Sequence, residues 1–143
     1  MENKPSMIKG GSHTDHRGTI HFVNDFDMSQ VKRFYLIEHP NIEVIRAWRA
    51  HRIEQRWFNA VAGKFVIRIV KIDNWESPTK VVSIQDVHLS SCNEVLYIPS
   101  GYGTWIQAEE NNSKLLVFGD YGIEHAINDD YLYPQDYFTE LIS

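Results

Sequence analysis

The chain predicts an all-β domain built as a double-sheet jelly roll, and three features of the sequence carry that expectation. Apolar residues alternate with polar ones over short runs, β-branched and aromatic residues fill those runs, and Gly, Pro, Asn and Asp separate them. No long stretch repeats apolar residues at helical spacing, so many strands must share one small domain. With 143 residues, 43% apolar and 13% aromatic, the chain can bury a substantial core as a single domain over 1–143.

The first strand is expected over 18–23, entered through the turn Asp15-His16-Arg17-Gly18. Strands follow over 32–37, over 44–50 after Pro40 and Asn41, and over 56–61 before the turn at Ala62-Gly63. The clearest element is 64–73, where Phe65, Ile67 and Ile69 alternate with Val66, Arg68 and Val70. One of its faces packs a core, while the face with Arg68 and two valines is semi-polar or meets a partner. The turn Asp73-Asn74-Trp75-Glu76-Ser77-Pro78 leads to a strand over 81–89, followed by 94–98. Pro99-Ser100-Gly101-Tyr102-Gly103 turns the chain into 104–108, and the last strand spans 114–120. Beyond Asp120 comes an irregular aromatic tail, with a short helix expected over 134–142 and Pro134 at its start.

The net charge of −5 argues against a nucleic-acid binder, which needs a basic surface to release counterions. A polar N-terminus and the absence of an apolar run near the ~20 residues that cross a bilayer predict a soluble, cytoplasmic protein without membrane contact. Cys92 is the only cysteine, so no internal disulfide or thiolate cluster is possible, and its setting is that of a small turn or core residue. Against the acidic background, Arg46, Arg49, Arg52, Arg56 and Arg68 share a segment in which Glu54 is the only acid. Two readings stand: a solvated edge or interface, or an anion site in which planar guanidinium groups meet phosphate oxygens.

The segment from Arg46 to Gly63, paired with Ile98-Pro99-Ser100-Gly101-Tyr102-Gly103, resembles the two-part signature of a cupin-type double-stranded β-helix. Metal-binding cupins place two histidines, a glutamate and a late histidine at positions occupied here by Arg49, His51, Gln55 and Thr104. Arginine cannot ligate and one imidazole cannot hold a cation alone, so neither metal nor other cofactor is expected. Glu54 is expected to point to the opposite face of the strand from Gln55. His13, His16 and His21 form a separate group, read as surface polar residues because no fourth ligand is apparent.

Several short motifs, in order, resemble the dTDP-4-dehydrorhamnose 3,5-epimerases and the related dTDP-sugar 3,4-ketoisomerases. They are Asp15-His16-Arg17-Gly18, Val44 to His51, Val61-Ala62-Gly63-Lys64-Phe65, Asp73 to Pro78, Leu96 to Tyr102, and Asn128-Asp129-Asp130. The resemblance implies a metal-free jelly-roll homodimer acting on a nucleotide-diphosphate keto sugar. There a base removes a proton beside the carbonyl, and cationic or hydrogen-bonding groups stabilise the enolate. It further implies substrate contacts at Arg46, Arg49, Arg56 and Arg17, with Arg46 on the diphosphate. Arg49 stands where the epimerases carry their histidine base, and Phe118 falls at the position of their catalytic tyrosine. His51 matches the second histidine of the ketoisomerase branch and is the candidate base, with Tyr121 or Tyr102 as the acid. The expected function is a nucleotide-sugar epimerase or ketoisomerase in surface-polysaccharide sugar biosynthesis. The alternative is a binding module that has lost the acid/base pair, and a metal-dependent cupin is the least favoured reading.

Overall fold

The computed structural model describes residues 3–142. In chain order the strands are β1 (Ser6–Lys9), β2 (Gly11–Asp15), β3 (Gly18–Phe22), β4 (Arg33–His39), β5 (Ile45–His51), β6 (Arg56–Ala62) and β7 (Phe65–Lys71). Then come β8 (Val81–Val82), β9 (Gln85–Leu89), β10 (Glu94–Ile98), β11 (Tyr102–Ala108), β12 (Ser113–Gly119), β13 (Tyr131–Leu132) and β14 (Thr139–Glu140). A helical turn, α1 (Ile123–Ala126), runs on into a 3-10 turn over Ile127–Asp129 between β12 and β13. Two five-stranded antiparallel sheets form the barrel, ordered β1-β10-β6-β12-β4 and β13-β5-β11-β7-β9.

Inward rows of alternating side chains fill the space between the sheets, with Phe58, Phe65, Ile67, Leu89, Leu96, Ile98, Leu115 and Val117 all buried. The turn between β6 and β7 needs Gly63, whose φ is 73°, a left-handed conformation that a Cβ would strain. A second apolar cluster covers the outer face of the other sheet. There Trp48, Ala50, Val70, Ile72 and Phe138 pack together with Trp75, Tyr131, Tyr133 and Tyr137.

That outer cluster explains why the helix expected over 134–142 does not form. Tyr137 and Phe138 bury their rings against the sheet, Trp48 Nε1 donates to the Gln135 carbonyl at 3.0 Å, and Thr139–Glu140 pairs in parallel with Val81–Val82. Tertiary packing of aromatic residues outweighs the local start signal of Pro134. The strand expected over 81–89 divides into β8 and β9, which join different sheets. Four strands escaped the sequence reading: β1, which extends the first sheet beside β10, β2, which pairs with β3 as a separate hairpin, and the two-residue β13 and β14 of the tail, which pair with β5 and β8. Arg68 lies on the outer face of β7, 3.0 Å from Asp86 and over the Trp105 ring.

One irregularity positions the site. Across β5 and β11, Thr104 pairs with Arg49 but Ile106 pairs with Arg46, so β5 carries one extra residue between them. Residues three apart on a regular strand face opposite sides; the bulge turns Arg46 and Arg49 toward the same interior.

Candidate active site

Between β4 and β5 opens a cavity of about 580 Å³ whose walls include Tyr35, Arg46, Arg49, Arg56, Thr104 and Leu132. A second hollow of about 390 Å³ shares Tyr35 and Arg49 with it and adds Arg33, His51, Ile127 and Asp130. The shared walls make the two hollows parts of one recess.

Arg56 opens β6 and points into the barrel, 3% exposed. Its Nη1 donates to Thr104 Oγ1 at 3.2 Å, whereas Nη2 has no hydrogen-bond partner. Burial lowers its pKa from the usual arginine value, while the neighbouring Tyr35 and Glu54 favour the charged form. A guanidinium does not deprotonate in a protein, so the interior carries a fixed positive charge with one open donor. Arg46 Nε donates to His39 Nε2 at 3.2 Å, and Arg49 Nε lies 3.0 Å from Asp130 Oδ1 at the more exposed rim. Burial and then Arg46 hold His39 below the ordinary histidine pKa.

His51 ends β5, buried, with Nδ1 2.7 Å from the main-chain oxygen of Asp129. A carbonyl only accepts, so Nδ1 carries the proton and Nε2 keeps a lone pair. Burial first, then Arg56, push the His51 pKa down to about 3, while the bond to Asp129 acts in the opposite sense and Arg49 and Arg33 add to the depression. The imidazole is therefore neutral at physiological pH. Glu54 lies 3.7 Å away, Oε2 to Nε2, and also pairs with Arg33 at 2.9 Å. Its inward position corrects the expectation that it faces away, because residues 52–55 lie in the irregular connection between β5 and β6, where strand alternation does not apply.

Arg46, Arg49, Arg56 and His51 are thus brought together. Tyr102, Tyr121 and Arg17 are not. Tyr102 pairs in register with His51, but its hydroxyl reaches toward the Asn3 carbonyl at 3.4 Å. Tyr121 stacks near His125 and lines a third hollow with Lys32 and Asp120, which shares only Arg33 with the recess. Arg17 sits at the tip of the β2–β3 hairpin, bonded to Asp15 at 2.7 Å. Phe118 faces outward against Phe26 and Phe34, so it does not stand in a tyrosine's place inside the site. The phenol that does line the recess is Tyr35, with Arg33 5.2 Å from its ring centroid. Sequence reading missed it because Phe34, Tyr35 and Leu36 all fit a strand, and only pairing in β4 decides which faces inward. Gln55 is a structural residue, its backbone and side-chain nitrogens both donating to Asp120 while Tyr97 donates to Oε1. Among the described residues, no three His, Cys, Asp or Glu side chains are grouped as metal ligands, and no helix is long and apolar enough to cross a membrane.

Comparison with known proteins assigns the lineage. The FdtA family, described as WxcM-like, C-terminal, matches residues 3–143, and the chain belongs to it. No curated protein sequence matches. Among solved structures, a 3,4-ketoisomerase from Helicobacter canadensis is 17% identical, with 90% of each chain covered and a TM-score of 0.68. The 3,4-ketoisomerase QdtA from Thermoanaerobacterium thermosaccharolyticum, as a double mutant with TDP, is 22% identical over 96% of this chain and 94% of that one, with a TM-score of 0.69. ChmJ, a 3'-monoepimerase from Streptomyces bikiniensis bound to dTDP-quinovose, is 16% identical over 97% and 79%, with a TM-score of 0.71. The fold is therefore the all-β cupin-type jelly roll that the sequence predicts.

Proposed function

We propose that this chain is an epimerase or ketoisomerase of nucleotide-linked 4-keto-6-deoxysugars, working by proton abstraction beside the carbonyl without metal or other cofactor. The observation that carries this reading is Arg56. A permanent cation buried with an open donor is costly, and an oxygen that bears or develops negative charge relieves that cost. An enolate oxygen is such a group.

Arg46 and Arg49 line the wider hollow and supply charge for a diphosphate, while Arg56 and Thr104 meet the sugar carbonyl. The lone pair on His51 Nε2 accepts the proton from the carbon beside that carbonyl. Tyr35 is our candidate to exchange a hydroxyl proton, as conversion of a 4-keto to a 3-keto sugar through an enediol requires. The TDP and dTDP-quinovose held by similarly folded proteins support a nucleotide-diphosphate sugar as the ligand.

Arg17 joins the site only in a homodimer. Every residue of β3 is exposed, including Ile20 at 63%, and an isolated hairpin is marginal in water. Packing that hairpin on a second copy would cover Ile20 and offer Arg17 to the partner's recess. We assign the protein to the cytoplasm and to sugar supply for surface polysaccharides.

One observation favours a binding module instead: His51, held near pKa 3, is a weak base, and Arg49 replaces an imidazole. Incubation with dTDP-4-keto-6-deoxyglucose in deuterated water separates the two. The enzyme introduces deuterium at carbons flanking the carbonyl and loses that ability in His51→Asn. Binding without exchange establishes the module, and absence of both defeats either reading.

A further inference from the structure

Glu54 is a buried acid that the reaction outlined above leaves unused. It is 2% exposed, and its niche is built by three separate elements. The Asp129 carboxylate accepts the backbone N–H groups of Arg52, Ile53 and Glu54 at 2.8 to 3.1 Å, which fixes the connection between β5 and β6. Gly119 on β12 leaves room for the carboxyl, since a Cβ there would stand 2.6 Å from Glu54 Oε1. Arg33 on β4 holds that same oxygen at 2.9 Å and is itself anchored on the Tyr121 carbonyl at 3.2 Å.

The other carboxyl oxygen is directed toward His51. With Nδ1–H donated to Asp129, Nε2 holds the ring's only free lone pair, and this nitrogen lies 3.7 Å from Glu54 Oε2. Once a proton sits on either atom, a shift of about 1 Å would make this a hydrogen bond.

We propose that Glu54 is a positioning residue that stores the proton His51 removes from substrate, a role that rests on the reading of His51 as the base. The substrate C–H bond breaks, its electron pair stays in the enolate, and an N–H bond forms at Nε2. That N–H bond then breaks as an O–H bond forms on Glu54 Oε2, and the reverse sequence returns the proton to carbon.

The surrounding charges favour the carboxyl as the resting place. An imidazolium at His51 would face Arg33, Arg49 and Arg56, opposed by the Asp129 carboxylate 4.0 Å from Nδ1, whereas a protonated Glu54 keeps its other oxygen on Arg33. The groups bearing on Glu54 are Arg33 from β4, His51 from β5, Arg56 from β6 and Asp120 beyond β12. Burial raises its pKa most, Arg33 and Arg56 oppose that, and Asp120 adds to the rise, for a net increase. With His51 depressed, the first proton taken up by the pair belongs on the carboxyl.

The test titrates the full chain, labelled with 15N-histidine and 13C-glutamate, by NMR from about pH 8 to about pH 4. The expected record is a Glu54 carboxyl that takes up its proton while His51 stays the neutral Nδ1–H tautomer. An imidazolium at His51 forming before the carboxyl is protonated overturns the proposal. Kinetically, Glu54→Gln should lower deuterium exchange into substrate by about 100-fold with KM changed less than about twofold, and Glu54→Asp should restore part of the rate. An unaltered exchange rate in Glu54→Gln also overturns it. A wild-type chain that binds TDP without exchanging anything would defeat the assigned reaction, and the titration would still decide where the proton rests.

Discussion

The barrel interior has two ends that share the same strands and differ in almost everything else. On β6, Arg56 lies at one end and Phe58 and Ala60 continue toward the other; on β11, Thr104 gives way to Ile106 and Ala108. The apolar end is close-packed and gains from every buried methylene. The polar end holds Arg56, His51 and Glu54 in burial and forfeits stability to keep them charged, neutral or poised. The difference teaches that the apolar end is what makes the polar one tolerable, an arrangement found where function sets local rules aside.

Substitutions can break or sharpen that contrast. Leu115→Ala at the apolar end should cost about 2 to 5 kcal/mol, read as a lower urea midpoint, because it empties a fully buried position. Arg56→Met at the polar end should do the reverse, leaving stability equal or higher while lowering deuterium exchange into dTDP-4-keto-6-deoxyglucose by about 100-fold. A destabilised Arg56→Met protein would show that its guanidinium is already satisfied and would remove the main argument for an anionic ligand.

Acid should distinguish the ends as well. The unfolded His51 takes up a proton near its ordinary pKa of 6.5 but the folded one only near 3, so its contribution is full above pH 6.5 and is lost as pH falls toward 3. One proton at 1.36 kcal/mol per pH unit amounts to about 2 kcal/mol by pH 5. Glu54 works in the opposite direction, since its raised folded pKa makes protonation favour the native state as pH falls. His51→Asn should therefore flatten the acid-side decline in Tm, and an equal decline in wild type and variant would refute the buried neutral imidazole. The smallest effect belongs outside the barrel. Arg68→Ala removes a half-exposed pair with Asp86 and should change stability by less than about 1 kcal/mol, a useful baseline for the interior substitutions.

The sequence made the strands legible because alternation reports burial directly: in β7, Phe65, Ile67 and Ile69 are inside as the pattern requires. It failed at the tail, where Pro134 signalled a helix and aromatic burial imposed extended chain instead. At the site, Arg46, Arg49, Arg56 and His51 were recognisable as a basic cluster with one imidazole. Tyr35, Glu54 and Asp129 were not recognisable in these roles, since each depends on a partner far away in the chain.

Composition and period alone determined an all-β domain with a concentration of guanidinium groups near its middle, because burial of apolar faces follows from residue order along each strand. The tertiary structure decided which of those groups meet. A bulge in β5 turns Arg46 and Arg49 to one side, and a buried Asp129 fixes both the tautomer of His51 and the connection that aims Glu54. The physical reason is that alternation fixes a side chain's face only while the ladder is regular, and here the recess is built where the ladder is interrupted.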